Sequence, residues 1–377
     1  MTLQQTNIPS VTSESRPYQR IAVLGAGAWG TALATVARRA GRDVTIWGRD
    51  PDLMASITEG RGNPRYLPDI ALPEGMVGTT DLATALAGAE AVMAVTPSRT
   101  LRGVLRQVAP LLPPEVPVIL CAKGIEAETG LLMTQLAEEE LNGNPVGALS
   151  GPTFATETAM GHPTAATVAF PFSYADRLAP FESPASRFAV SVSTETFRAY
   201  ISDDLVGVEI GGAVKNVIAI ACGMMTGAGF AENTRAALIT RGMDEMKALA
   251  EALGGRRETV TGLSGAGDLT LTCSSTTSRN MSLGVQLGQG TAREACFGGR
   301  PVVVEGEVNA ISVIDLARRV GVHMPICEAV HSILHGGANL RETFSSLWSR
   351  PIEAEPKALD ISLTHPLAPQ TLEREAQ

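Results

Sequence analysis

Ile21-Ala-Val-Leu24-Gly25-Ala-Gly27-Ala-Trp-Gly30 reads as a strand that runs into a glycine turn and then a helix. Thr31-Ala-Leu-Ala-Thr-Val-Ala-Arg-Arg-Ala40 continues the helix, Gly41 stops it, and Val44-Thr-Ile-Trp47 begins a second strand. The Gly25-x-Gly27-x-x-Gly30 spacing lets backbone N–H groups approach a pyrophosphate at a helix N-terminus, with no side chain in the way. The stretch therefore predicts a dinucleotide site at the head of a βαβ unit. Taken alone, the glycines also fit a structural turn that binds nothing.

Outward from this unit, strand and helix signals alternate to about Ile201. Ala91-Val-Met-Ala-Val95 ends at Thr96-Pro-Ser98, Val118-Ile-Leu-Cys121 leads to Lys123-Gly124, and Val146–Leu149 leads into Ser150-Gly-Pro-Thr-Phe-Ala155. Helices are predicted over 81–86, 99–109 and 131–140, with an irregular stretch at 60–64. Near-continuous apolar strands separated by helices imply a parallel sheet covered on both faces. The strand ends at 96–98, 121–124 and 150–155 then belong to its carboxyl edge, where such sheets bind ligands. After Ser202-Asp-Asp204 the strand signals stop, and helical stretches follow over 204–225, 233–253, 281–289, 306–319 and 325–334. The predicted fold is α/β: a Rossmann-like doubly wound domain over 20–202, then an all-helical substrate and catalytic domain over 203–352. The ends, 1–19 and 353–377, read as loose tails.

The 377 residues suffice for two domains with ample core. A net charge of −9 excludes general nucleic-acid binding, which needs clustered Lys and Arg, but allows a local basic pocket for a small phosphorylated substrate. Cys121, Cys222, Cys273, Cys296 and Cys327 are odd in number and contain no CxxC, which predicts reduced, buried thiols and a cytoplasmic protein. The N-terminal segment carries no signal-like apolar stretch. The apolar run Val217–Met225 falls short of the roughly 18 residues of a membrane span, so none is expected.

Three further stretches carry chemistry. Val214-Lys215-Asn216-Val-Ile-Ala-Ile-Ala221 is apolar nearly all round, so its helix is buried, and neither Lys215 nor Asn216 can be left unpaired there. They belong either to a structural network or to a wet cleft. A lysine withdrawn from water exchanges its proton closer to neutrality, as a general acid for a carbonyl oxygen requires. Gly262-Leu-Ser-Gly-Ala-Gly-Asp268-Leu-Thr-Leu-Thr272 through Ser278-Arg279-Asn280 reads as a long loop of small and hydroxyl residues. Its arginine, amide donors and following helix N-terminus suit a phosphate, and its carboxylate, Asp268, is the expected partner of Lys215. A surface loop with Ser278 or Asn280 as N-cap is the plainer alternative. Lys123, just past a strand end, is a candidate ligand contact.

Arg49 and Asp50 close the second strand, near the ~20-residue spacing at which dinucleotide sites place an acid for NAD or an arginine for NADP. Arg49 points to NADP, and Asp50 leaves NAD open. His331 and His335 have the i, i+4 spacing of a metal pair, but no HExxH glutamate or third ligand accompanies them, so no metal is expected.

In this order the elements resemble the bacterial-type NAD(P)-dependent glycerol-3-phosphate dehydrogenase family, from about Ile21 to Trp348. The resemblance rests on Gly25-Ala-Gly-Ala-Trp-Gly-Thr-Ala-Leu33, Ala122-Lys-Gly-Ile-Glu-Ala-Glu-Thr-Gly130, Ser150-Gly-Pro-Thr-Phe-Ala155, Gly211-Gly-Ala-Val-Lys-Asn-Val-Ile-Ala-Ile220, Leu238-Ile-Thr-Arg-Gly242, Gly265-Ala-Gly-Asp-Leu269, Ser278-Arg-Asn280 and Val303-Val-Glu-Gly306. It implies a Rossmann-like domain, a helical domain and a site in the cleft between them. It also implies interconversion of dihydroxyacetone phosphate and sn-glycerol 3-phosphate, for glycerophospholipid synthesis, and a homodimer. Lys215 is then the proton donor and acceptor, with Lys123 and Asp268 as its catalytic companions. Lys123, Gly151, Thr153, Lys215, Asn216, Asp268, Ser278, Arg279 and Asn280 would hold the substrate. Gly25, Gly27, Ala28, Trp29, Gly30, Arg49, Lys123, Ala155, Arg279, Val303 and Glu305 would hold the cofactor.

The chain departs from the family pattern at Thr226, at Ala231, and over 171–184, which reads as a surface excursion. Two other functions share parts of the pattern. A dehydrogenase of β-hydroxy acids would need the glycine turn and the buried lysine but not a Ser-Arg-Asn phosphate site. A cofactor-sensing protein with a dead site would bind dinucleotide without turnover.

Overall fold

Side-chain alternation along β1 (Arg20–Leu24) splits the first core into two layers, because successive residues of a strand face opposite ways. Ile21 and Val23 pack with Val44, Ile46 and with Leu33 and Val36 of the helix Ala28–Arg39. Ala22 and Leu24 pack with Val92, with Leu101 and Leu105 of the helix Ser98–Val108, and with Leu136 of the helix Met133–Glu140. The structure, a computed structural model, describes residues 14–355, 359 and 361–366.

The sheet continues through β2 (Asp43–Trp47), β3 (Val77–Thr79), β4 (Ala91–Ala94), β5 (Val118–Leu120), β6 (Val146–Ser150), β7 (Thr164–Ala169) and β8 (Phe197–Ser202). Its order is β3-β2-β1-β4-β5-β6-β7-β8. Ile21 lies opposite Val44 on one side and Ala91 on the other, both in parallel register. Strand order therefore reverses beside β1, and the glycine turn emerges at that switch point.

The parallel run ends at β6. β7 is antiparallel to β6, with Ala148 opposite Ala169, and β8 is parallel to β7. The expected all-parallel sheet is thus corrected to a mixed one. The link from β6 to β7 holds only the six-residue helix Ala155–Met160, too little for a covering crossover, so the chain turns straight back. The 171–184 stretch holds the short helix Tyr174–Leu178, with Tyr174 and Leu178 exposed.

The chain divides into two compact units, Met1–Gly212 with Leu253–Asp268 and Ala213–Ala252 with Leu269–Gln377. The division falls inside the helix Leu205–Gly227 rather than at 202/203. The reason is local: Val208, near the start of that helix, is packed with Ala148 and Ala169 of the sheet. The second unit contains the helices Glu232–Ala252, Arg279–Gly288, Glu305–Arg319, Pro325–His335 and Leu340–Trp348. It is not wholly helical, since Ile352–Glu353 and Ser362–Leu363 pair as antiparallel strands within the stretch read as a loose tail. The rest of the expected tails, 1–13, 356–358, 360 and 367–377, lies outside the described residues.

The stretch read as a long loop after Gly262 is largely helical: a π turn at Leu263–Gly267 runs into the helix Asp268–Ser274. Leu205–Gly227 is long and apolar enough by composition to cross a membrane, but 89% of its most apolar window is buried inside the protein, as in a core helix.

Candidate active site

In the first unit the turn after β1 is held by its own backbone. Gly25 N donates to Trp47 O at 2.9 Å, and Val95 N donates to Leu24 O at 2.8 Å. Gly25 has φ +122°, which favours glycine, and a Cβ on Gly30 would stand 1.8 Å from Gly25 O. Those two glycines are demanded by the fold. Gly27 is not: its φ is −71°, and a Cβ there would meet nothing within 4 Å. The following helix has no side-chain cap and no acid in its first turn, so its N-terminal field faces that open space. Beside it Thr96 Oγ1 and Trp29 Nε1 are buried without a partner. A glycine the protein does not need, an uncapped helix N-terminus and unsatisfied polar atoms fit a dinucleotide pyrophosphate.

Asn63, from the stretch read only as irregular, braces this turn. Its Nδ2 donates to Thr31 Oγ1 at 2.7 Å and to Ala26 O at 3.1 Å. No local pattern announces it, since its partners lie some thirty residues away. Ala28, Trp29 and Ala155 border one small cluster with Ala32, Leu67 and Ala159. Arg49 is exposed just past β2. Asp50, beside it, is half-buried and N-caps the helix Pro51–Thr58.

Past β5, Lys123 Nζ donates to Asp268 Oδ2 at 2.7 Å and to Gly151 O at 3.2 Å. Asp268 thus holds Lys123, and both side chains are largely buried. Thr153 Oγ1 donates to the same Gly151 carbonyl at 3.1 Å. Ser150 Oγ is buried with no partner, and a Cβ on Gly212 would reach it at 3.0 Å. The neighbouring Cys121 is fully buried, and burial pushes its thiol well above the ordinary value, so it is inert.

In the second unit Lys215 is 7% exposed, and its Nζ donates to Thr272 Oγ1 at 2.8 Å. Asn216 and Asn280, both buried, form an amide chain. Asn280 Nδ2 donates to Asn216 Oδ1 at 2.9 Å, and Gly306 N donates to Asn280 Oδ1 at 2.8 Å. Asn216 Nδ2 reaches Glu305 Oε2 at 3.4 Å. Ser278 N-caps the helix Arg279–Gly288 by accepting from Met281 N at 3.3 Å, and Arg279 stands exposed at its first position. Val303 is exposed just before the helix that begins with Glu305. Thr226 Oγ1 donates back to Cys222 O at 2.9 Å within its own helix.

Two buried acids were not singled out by the sequence reading. Glu209 accepts from Thr134 N at 2.9 Å and from Thr134 Oγ1 at 2.5 Å. Glu245 accepts from Ile326 N at 2.6 Å and Cys327 N at 3.2 Å. Each caps a distant helix from outside, and burial pushes each carboxyl up to about 7. His335 Nε2 lies 2.8 Å from Glu307 O, and no group of three or more metal-ligating side chains occurs among the described residues.

The family model described as the NAD-dependent glycerol-3-phosphate dehydrogenase N-terminus matches residues 20–174, and its C-terminal counterpart matches 204–345. A relative named glycerol-3-phosphate dehydrogenase [NAD(P)+] from Rhodospirillum rubrum is 49% identical over 335 residues, covering 89% of this chain and 93% of that protein. One of the same name from Mesorhizobium japonicum is 45% identical over 94% of this chain and 99% of its own. The crystal structure of glycerol-3-phosphate dehydrogenase from Coxiella burnetii superposes with a TM-score of 0.80 at 36% identity, covering 88% of this chain and 99% of that one. A ketopantoate reductase from Ralstonia eutropha, at 18% identity and a TM-score of 0.54, shares the fold alone. With both halves matched in order, the chain belongs to the NAD(P)-dependent glycerol-3-phosphate dehydrogenase family.

Proposed function

We propose that this chain reduces dihydroxyacetone phosphate to sn-glycerol 3-phosphate, reversibly, with Lys215 as the general acid and base. The observation that carries this reading is a lysine placed deep in an apolar helix and oriented by a hydroxyl: Lys215, 7% exposed, donating to Thr272 at 2.8 Å. The relatives named for this activity, at 45–49% identity, support it. The nicotinamide dinucleotide supplies the hydride when bound.

Lys215 gives its proton to the ketone oxygen as negative charge develops there, and takes it back in the reverse direction. Lys123, oriented by Asp268 and the Gly151 carbonyl, supplies a fixed positive charge for the substrate. Arg279 and the N-terminus of its helix take the substrate phosphate, and that remote binding energy positions the carbonyl. The Gly25–Gly30 turn takes the cofactor pyrophosphate. Arg49 at the end of β2 takes a 2′-phosphate, so NADPH is preferred over NADH.

The test is NADPH and NADH oxidation side by side, with dihydroxyacetone phosphate and with unphosphorylated dihydroxyacetone. The expected outcome is oxidation with the phosphate ester alone and a lower KM for NADPH. No oxidation with the phosphate ester overturns the activity, and a lower KM for NADH overturns the cofactor preference.

A further inference from the structure

Dinucleotide sites that accept NAD place a carboxylate at the end of the second strand, where it binds the adenosine ribose. Here Asp50 lies just past the end of β2, directly after Arg49. A free carboxylate beside Arg49 would repel a 2′-phosphate and offset the arginine. Both of its oxygens are taken, however. Asp50 Oδ1 accepts from Leu53 N at 3.2 Å, and Oδ2 accepts from Arg65 Nη1 at 3.1 Å.

Arg65 is not placed by chance. Asn63 Oδ1 accepts from Tyr66 N at 3.0 Å, while its Nδ2 holds Ala26 O and Thr31 Oγ1 of the glycine turn. Leu67 N donates to Asn63 O at 2.9 Å, and the Leu67 side chain is buried. The segment carrying Arg65 is therefore pinned to the turn itself. Its guanidinium also lies 5.4 Å from the centre of the Tyr66 ring.

We infer that Arg65 is a specificity-determining positioning residue: it neutralises Asp50 and holds it as a helix cap, so that Arg49 faces a 2′-phosphomonoester without an opposing charge. The ligand chemistry is a nucleotide bearing a phosphate on its adenosine 2′-hydroxyl. The inference rests on the NADPH preference proposed above. Arg65 and Asp50 side chains are 62% and 38% exposed, so the pair contributes little to folding and its effect is read in discrimination.

The experiment is calorimetric binding of 2′,5′-ADP and of 5′-ADP to the full chain and to Arg49→Gln, Arg65→Gln, Asp50→Asn and the Arg65→Gln/Asp50→Asn pair. Asparagine caps helices as well as aspartate does, so Asp50→Asn keeps the fold. Arg65→Gln is expected to weaken 2′,5′-ADP about tenfold while leaving 5′-ADP within about twofold, and the double variant to recover most of that loss. Arg49→Gln should weaken 2′,5′-ADP at least as much. If Arg49→Gln discriminates and Arg65→Gln shifts neither ligand, or shifts both equally, the inference on Arg65 is overturned while the NADPH reading stands. Loss without recovery in the double variant overturns the route through Asp50. A wild-type chain that does not favour 2′,5′-ADP, together with an inert Arg49→Gln, overturns the NADPH reading and the inference with it.

Discussion

Glycine does opposite work in the two units. In the Gly25–Gly30 turn of the first, Gly27 leaves space that no protein atom fills. In the second, glycines remove space. A Cβ on Gly223 would stand 2.3 Å from Met281 O, on Gly227 2.1 Å from Val285 O, on Gly284 2.2 Å from Ile220 O and on Gly288 2.1 Å from Met224 O. The helices Leu205–Gly227 and Arg279–Gly288 thus meet backbone to backbone. That contact buries the helix bearing Lys215 and ties it to the helix that begins with Arg279. Gly27 leaves open space at a helix N-terminus, and the second set fixes the elements that carry Lys215 and Arg279.

Four measurements break or sharpen this contrast. The largest effect belongs to the side chain that the second unit is packed to present. Lys215→Ala should lower turnover at least about 10²-fold with unfolding still cooperative, as loss of a general acid does. Near-normal turnover would remove Lys215 from the chemistry. Gly284→Ala forces a methyl into backbone and should cost about 3 kcal/mol or more in chemical denaturation, losing activity through the fold. An unchanged denaturation midpoint would show that the helices part freely, against the close contact seen here.

Gly27→Ala should do the reverse. Its φ of −71° accepts alanine, so stability stays within about 1 kcal/mol. Dinucleotide affinity should fall about tenfold or more, because the methyl occupies the space left for the pyrophosphate. Unchanged affinity by fluorescence titration would mean that the open space at Gly27 is not where the cofactor lies.

The smallest effect concerns a feature the units share. Each has an acid buried against the N-terminus of a distant helix, Glu209 in the first and Glu245 in the second, both raised from 4.5 to about 7 by burial. Between those pH values the folded chain holds protons that the unfolded chain has released, so stability falls as pH rises from about 4.5 to about 7 and then levels. Glu209→Gln should remove roughly half of that slope, read from urea midpoints across the window. An unaltered slope would show that Glu209 carries no excess proton in the folded state.

The two glycine sets were not equally legible in the sequence. Gly25-x-Gly27-x-x-Gly30 sits between a strand and a helix, so its spacing and neighbours announce a turn at a helix N-terminus. Gly223 and Gly284 lie 61 residues apart, and nothing local marks them as partners. The same distinction runs through the site. Lys215 stood out because its neighbours were too apolar to leave it unexplained. That Asp268 would hold Lys123 was hidden, because the two are 145 residues apart and a carboxylate's local context does not name its cation. The stretch after Gly262 read as a loop because its small and hydroxyl residues have low helix propensity, yet it folds as a π turn and a helix inside the protein.

Hydrophobic periodicity and the glycine turn by themselves determined the alternating strands and helices of the first unit and the helical character of the second. These follow from local sterics and from which face of each element must leave water. Tertiary structure alone decided the return of β7 against β6, the division within Leu205–Gly227, the Asn216–Asn280 amide chain and the pairing of Asp50 with Arg65. Each depends on which distant backbone or charge arrives within a few ångströms, and the sequence carries no local signal for that arrival.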